Sequence, residues 1–270
     1  MTDSAIGLGA MGLGLDIDGA VATVTLQRPE RRNAMTPGMW RGLAAIGAGL
    51  PPEVRVVVVR GEGPSFSAGI DLRLFSADGV PGEDPLVDPL SPAFGEWLAG
   101  LQAGFLWLHR PDIISVAAVR GHALGAGFQL ALACDLRVLA DDAQLCMKEP
   151  ALGLVPDLAG TKPLVDIVGL PRALEMCLTT RTVGAAEARE LRLAEIVVPG
   201  DGLDAAVDGL VAALLAHDAA TVRATKHLLA GAPGRTLEEQ AAAERAAQTA
   251  LQRERSSAAQ GHAVREGRTP

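Results

Sequence analysis

Four consecutive valines, Val56 to Val59, within the segment 54–60, constrain this chain more than any other feature. Unbroken β-branched residues suit a strand covered on both faces, and such strands belong to sheets flanked by helices. A second run of this kind, 113–119, follows a segment of helical pattern over 94–109 that Arg110-Pro111 stops. Upstream, 14–17 and 20–26 flank Asp18-Gly19, the signature of a hairpin turn. Thr36-Pro37 then supplies an N-cap and a first-turn proline for a helix to about Leu50. After a glycine-rich turn comes an apolar helix to about Cys134, then short strand candidates at 136–139 and 143–147. From Gly160 the chain reads as mainly helical, broken at Pro163, Pro171, Pro199 and Pro233. Strands alternating with helices, then helices alone, predict an α/β core over 1–198 and a helical C-terminal domain over 199–270.

Composition narrows the function. The formal net charge is −8 and there is no Tyr, so neither a basic groove nor a base-stacking surface is provided and no nucleic-acid partner is expected. Cys134, Cys146 and Cys177 form no C-x-x-C pair, and no metal-ligand cluster or redox cofactor is implied. Residues 1–15 lack a basic stretch followed by an apolar one, and no run reaches membrane-spanning length. The expectation is a cytoplasmic protein without a signal peptide or membrane partner.

Three segments carry possible chemistry. Ser65-Phe66-Ser67-Ala68-Gly69-Ile70-Asp71-Leu72 follows a buried strand, and small residues at 67–69 let a ligand approach the main chain. Gly125-Ala126-Gly127 lies where a strand gives way to a helix, whose first amides lack intrahelical partners and can face an anion. The turn lacks a Gly-Lys-Ser/Thr ending, and Leu130 stands where a dinucleotide fingerprint needs glycine, so nucleotide binding is disfavoured. Third, Glu149 and Asp157 flank a turn rich in Gly and Pro. Two carboxyl groups around a carbon skeleton suit proton removal and return. The plainer reading of Asp157 is the cap of a helix starting near Leu158. His122, beside the glycine turn, is expected to shape that turn by hydrogen bonding.

Together with Leu26-Gln27-Arg28-Pro29-Glu30-Arg31-Arg32-Asn33-Ala34-Met35, these segments resemble the crotonase (enoyl-CoA hydratase/isomerase) family from about residue 15 to 199. The resemblance implies a crotonase/ClpP-like spiral of ββα units with a C-terminal trimerisation domain, assembled as a homotrimer or a dimer of trimers. It implies an acyl-CoA thioester substrate, with CoA as part of the substrate and no separate cofactor. The thioester oxygen would sit in an oxyanion hole made by the N–H groups of Ala68 and Ala126. Gly69, Asp71, Leu72, Gly125 and Gln129 are expected along the substrate, and Arg28 and Arg31 are candidates for its phosphates.

Hydratases of the family carry two Glu residues, at the positions of Gln129 and Glu149. A carboxamide cannot take up a proton as a carboxylate does. Glu149 and Asp157, eight residues apart, look instead like two of the three acids of the branch that converts 3,5-dienoyl-CoA to 2,4-dienoyl-CoA, whose third acid falls at the position of Gln129. On that reading double-bond isomerisation is favoured, with Asp157 removing a proton and Glu149 returning one. The alternatives are a 3-enoyl to 2-enoyl isomerase using Glu149 alone, hydration of a 2-enoyl-CoA, an Asp157 nucleophile giving hydrolase or dehalogenase chemistry, and a non-catalytic acyl-CoA binder.

Overall fold

The structure, a computed structural model, describes residues 7–265 of the chain. Residues 1–6, where the stretch read for a signal peptide begins, lie outside the described residues.

The hairpin forms as Asp18-Gly19 dictates. Strands β1 (Leu13–Asp18) and β2 (Val21–Leu26) pair antiparallel, and Gly19 takes the left-handed conformation that the tight turn needs, at φ 54°. Beyond β2 the sheet is parallel: β3 (Val56–Gly61), then β4 (Ile114–Val119), β6 (Leu136–Ala140) and β9 (Ile196–Val198). The valine run occupies the middle of this six-stranded sheet, and all four valines are buried, on both faces. Each fully buried valine contributes roughly 1.5 kcal/mol or more from removal of apolar surface from water.

A second, three-stranded sheet consists of β5 (His122–Leu124), β7 (Gln144–Cys146) and β8 (Val183–Gly184). From β4 to β7 successive strands alternate between the two sheets. The chain leaves β4 for β5, passes through helix α3 (Ala126–Ala133), re-enters the large sheet as β6 and returns to the small one as β7. This is the expected spiral of ββα turns. Strands β5, β8 and β9 go unread in the sequence because two or three residues are too few to show a periodicity.

Helix α1 (Pro37–Gly49) starts where predicted, with Thr36 Oγ1 accepting from Met39 N at 3.3 Å. Helix α2 (Phe94–Leu106) packs on it, with Trp40 and Phe105 ring centroids 6.2 Å apart. Helices α4 (Thr161–Val168) and α5 (Leu170–Thr179) hold Pro163 and Pro171 in their first turns, where proline's missing N–H leaves no bond unmade. Helix α6 (Ala185–Glu190) precedes β9.

The chain divides into two compact units, one ending at Ala212 and one beginning at Ala213, within helix α7 (Leu203–Leu215). The boundary read from sequence, 198/199, falls just ahead of α7. The second unit is helical, as expected. Its α8 (Ala219–Gly231) is capped by Asp218, which accepts from Thr221 N at 2.9 Å, and α9 runs from Leu237 to Arg265. Among the described residues no single helix is long and apolar enough to cross a membrane.

Candidate active site

The two small-residue segments meet main chain to main chain. Ser67 bridges Ala123, its N–H donating to the His122 carbonyl (2.7 Å) and its carbonyl accepting from Leu124 N (3.0 Å). Ser67 Oγ donates to the Asn33 carbonyl (2.8 Å) and accepts from Gly69 N (3.1 Å). A β-carbon on Gly127 would lie 2.7 Å from the Ser67 carbonyl oxygen, and one on Gly69 would lie 2.5 Å from the Leu124 carbonyl oxygen. Glycine at both positions is therefore a steric requirement. His122 shapes the turn as expected, its Nδ1 lying 3.1 Å from Ser65 Oγ.

Which amides remain for a ligand differs from the sequence reading in one place. Ala126 N begins the buried helix α3, so it has no intrahelical acceptor, and the first bond of that helix runs from Gln129 N to Gly125 O (2.9 Å). Ala68 requires a correction: its N–H donates to the Arg32 carbonyl at 2.8 Å. Two residues on, Ile70 bridges Met35, yet the bonds run from Met35 N to Gly69 O and from Asp71 N to Met35 O. In such a parallel bridge the N–H of the intervening residue points away from the partner strand. Among the described hydrogen bonds none engages Ile70 N or Ala126 N. Ile70 N is a candidate donor the sequence reading missed, because an amide leaves no mark on the side chain.

Glu149 is 7% exposed at the start of a 3-10 turn, and its Oε1 would lie 3.2 Å from a β-carbon on Gly125. Gln129, fully buried on α3, donates through Nε2 to Glu149 Oε1 at 2.6 Å. The other oxygen, Oε2, is buried without a hydrogen-bond partner among the described residues. An unpaired oxygen of this kind is expensive to bury as a charge, and because Oε1 is already an acceptor, Oε2 is the oxygen that carries the proton when the carboxyl is neutral. Burial pushes the Glu149 carboxyl above the usual range, and the nearby Asp157 charge adds to the rise. Burial likewise raises the Asp157 carboxyl.

The capping alternative for Asp157 fails, since α4 begins at Thr161 behind Gly160. The Asp157 carbonyl is held by Gln102 Nε2 from α2 at 2.7 Å, a support the sequence did not announce. Gln129 Oε1 accepts from Leu158 N (2.9 Å) and Gly160 N (3.2 Å), so one carboxamide joins both acid-bearing segments.

Two expected substrate contacts have partners within the protein. Asp71, 5% exposed, forms ion pairs with Arg28 (2.9 Å) and Arg73 (2.7 Å). Arg28 also donates to the Ala34 carbonyl. A carboxylate this buried needs cationic partners, and these two supply them. Leu72 opens the next 3-10 turn, 58% exposed, and Arg31 is exposed in the turn Pro29–Arg31. Asn33 locks the two loops together, donating to the carbonyls of Glu62 (2.9 Å) and Ser65 (2.8 Å). Among the described residues no group of three or more potential metal ligands occurs.

The two-sheet spiral and a half-partnered buried carboxylate beside a helix N-terminus together define an α/β enzyme of the crotonase fold. The chain belongs to the enoyl-CoA hydratase/isomerase family, whose profile matches residues 16–270. Hydroxycinnamoyl-CoA hydratase-lyase of Pseudomonas fluorescens is 30% identical over 79% of this chain and 76% of its own length. Among solved structures, a Thermobifida fusca YX protein in complex with CoA is 61% identical and superimposes with a TM-score of 0.89, covering 93% of this chain and 96% of its own. A Thermobifida fusca YX structure in complex with acetoacetyl-CoA is 60% identical, with a TM-score of 0.91 over 94% of this chain and all of its own. The enoyl-CoA hydratase of Mycobacterium smegmatis is 28% identical, with a TM-score of 0.81 over 96% and 98%.

Proposed function

We propose that this enzyme shifts a double bond along an unsaturated acyl-CoA thioester by two carboxyl-mediated proton transfers. The observation that carries the reading is Glu149 itself, one oxygen fixed by Gln129 and the other buried and unpartnered, with Asp157 as the second acid. The CoA complexes of the Thermobifida relatives support the class of substrate.

The thioester oxygen accepts from Ile70 N–H and Ala126 N–H. Asp157, ionised, takes a proton from the acyl chain, and the electron pair of the broken C–H bond moves through the conjugated system onto that oxygen. Glu149, protonated, delivers its proton to a carbon farther along, and the thioester carbonyl re-forms. The substrate gains and loses one proton, so its mass is unchanged. Loss of one such amide typically costs roughly 3–4 kcal/mol of transition-state stabilisation. Burial of Glu149 favours the protonated form that this step requires. Arg31 and Arg32, both exposed, are the candidates for the CoA phosphates.

The second reading, hydration, is favoured by the hydratase names of the relatives. It requires water held between Gln129 and Glu149. A panel of saturated, 2-enoyl, 3-enoyl and 3,5-dienoyl-CoA esters, followed by mass and ultraviolet absorbance, decides between them. A moved double bond at constant mass supports isomerisation. Gain of one water on the 2-enoyl ester, with no isomerisation of the others, rejects it.

A further inference from the structure

We infer that Gln129 is a positioning residue that sets the two acids of the site in register and, by its own bonding, suppresses hydration. The inference rests on the proton-shuttling role proposed above for Glu149 and Asp157. Three bonds define the role. Nε2 donates to Glu149 Oε1 (2.6 Å), and Oε1 accepts from Leu158 N (2.9 Å) and Gly160 N (3.2 Å).

The second half of this clamp holds a strained turn. Ala159, between the two bonded amides, has φ 66°, a conformation a residue with a β-carbon adopts at a cost. Both flanking amides end on the same carboxamide oxygen, and Asp157 immediately precedes them. Gly160 is packed hard against the clamp: a β-carbon there would lie 2.6 Å from Gln129 Cγ and 3.0 Å from Oε1. Gln102 holds the Asp157 carbonyl. The segment that carries Asp157 is thereby held by two glutamine side chains, at residue 157 by Gln102 and at residues 158 and 160 by Gln129, which also holds Glu149.

The chemistry follows from the donor. A carboxamide offers Glu149 an N–H, so Glu149 Oε1 is occupied and Oε2 alone is left unpartnered. A carboxylate at 129 would still accept from Leu158 and Gly160 but would have nothing to donate. It would stand against Glu149 as a second acceptor, and a water or a proton would have to lie between them. Two acceptors around one water is the arrangement that activates it for addition. Gln129 denies the site that arrangement.

The test compares wild type, Q129E and Q129M on a 2-enoyl-CoA and a 3-enoyl-CoA, with hydration read by mass and isomerisation by absorbance. Deuterium uptake from solvent into a saturated acyl-CoA serves as an independent reading of proton transfer. The expected result for Q129E is at least a tenfold rise in hydration relative to isomerisation. For Q129M, which lacks donor and acceptor, both kcat and deuterium uptake should fall tenfold or more, with KM changed less than threefold. If Q129M does not fold, the Q129E ratio decides by itself. An unchanged ratio in Q129E, or Q129M turnover equal to wild type, overturns the inference. Absence of deuterium uptake in wild type instead rejects the proton-shuttle reading beneath it.

Discussion

Gly69 backs onto Leu124 so closely that a β-carbon on the first would stand 2.5 Å from the carbonyl oxygen of the second. Gly69, which directly precedes Ile70, reaches this approach at φ +89°, and the same β-carbon would lie 3.6 Å from Ala126 N. Gly69→Ala adds both a steric overlap and an unfavourable backbone conformation, for roughly 1–3 kcal/mol of lost stability. Activity should fall far more than stability, by about 100-fold or more, because the two donors would part. Turnover measured beside a urea unfolding curve tests this. A stable variant with normal turnover would show that the two amides need not be in register.

Glu149→Gln keeps the shape of the side chain and removes its charge. Turnover should drop about 10²–10⁴-fold. The folded-state pKa of Glu149 is raised, so ionising it in the folded protein is costlier than in the unfolded chain. Wild type therefore loses stability as pH rises above the unfolded value, about 4.3. The variant has no such loss. Its melting temperature should match wild type near pH 4 and exceed it at pH 8. Equal melting curves at pH 8 would contradict the burial of a charged Glu149.

Asp157→Asn removes the second acid while leaving the backbone held by Gln102 and Gln129. We expect a severe loss of isomerase turnover with CoA affinity, measured by calorimetry, within about threefold of wild type. Normal turnover in this variant would leave Glu149 acting alone.

Asp71→Asn tests the ion-pair network. Arg73 chiefly, with Arg28, holds the Asp71 carboxyl well below the usual range. The stabilisation is fully present above the unfolded pKa, about 3.9, and is lost as pH falls toward the depressed folded value. Denaturant unfolding should show the variant less stable by roughly 1.5–3 kcal/mol at pH 7. That gap should narrow steadily below about pH 4. A gap independent of pH would mean that packing, not charge, is what the variant disturbs.

Local chemistry decided much of this protein in advance. The valine run could settle only in a covered strand, Asp18-Gly19 could only turn back, and Thr36-Pro37 could only open a helix. The candidate acids, Glu149 and Asp157, were likewise visible as carboxylates around a turn. What the sequence did not reveal depends on partners brought together from far along the chain. Ala68 and Ile70 are alike as amides. Met35 and Arg32, in a separate loop, decide which N–H is taken and which is left. Arg28 and Asp71 lie 43 residues apart, and nothing in the sequence pairs them until the fold does. Gln129 looked like a lost acid. Only when residues 158–160 fold back onto it does its carboxamide gain acceptor and donor roles at once, because hydrogen bonds are set by direction and distance in space.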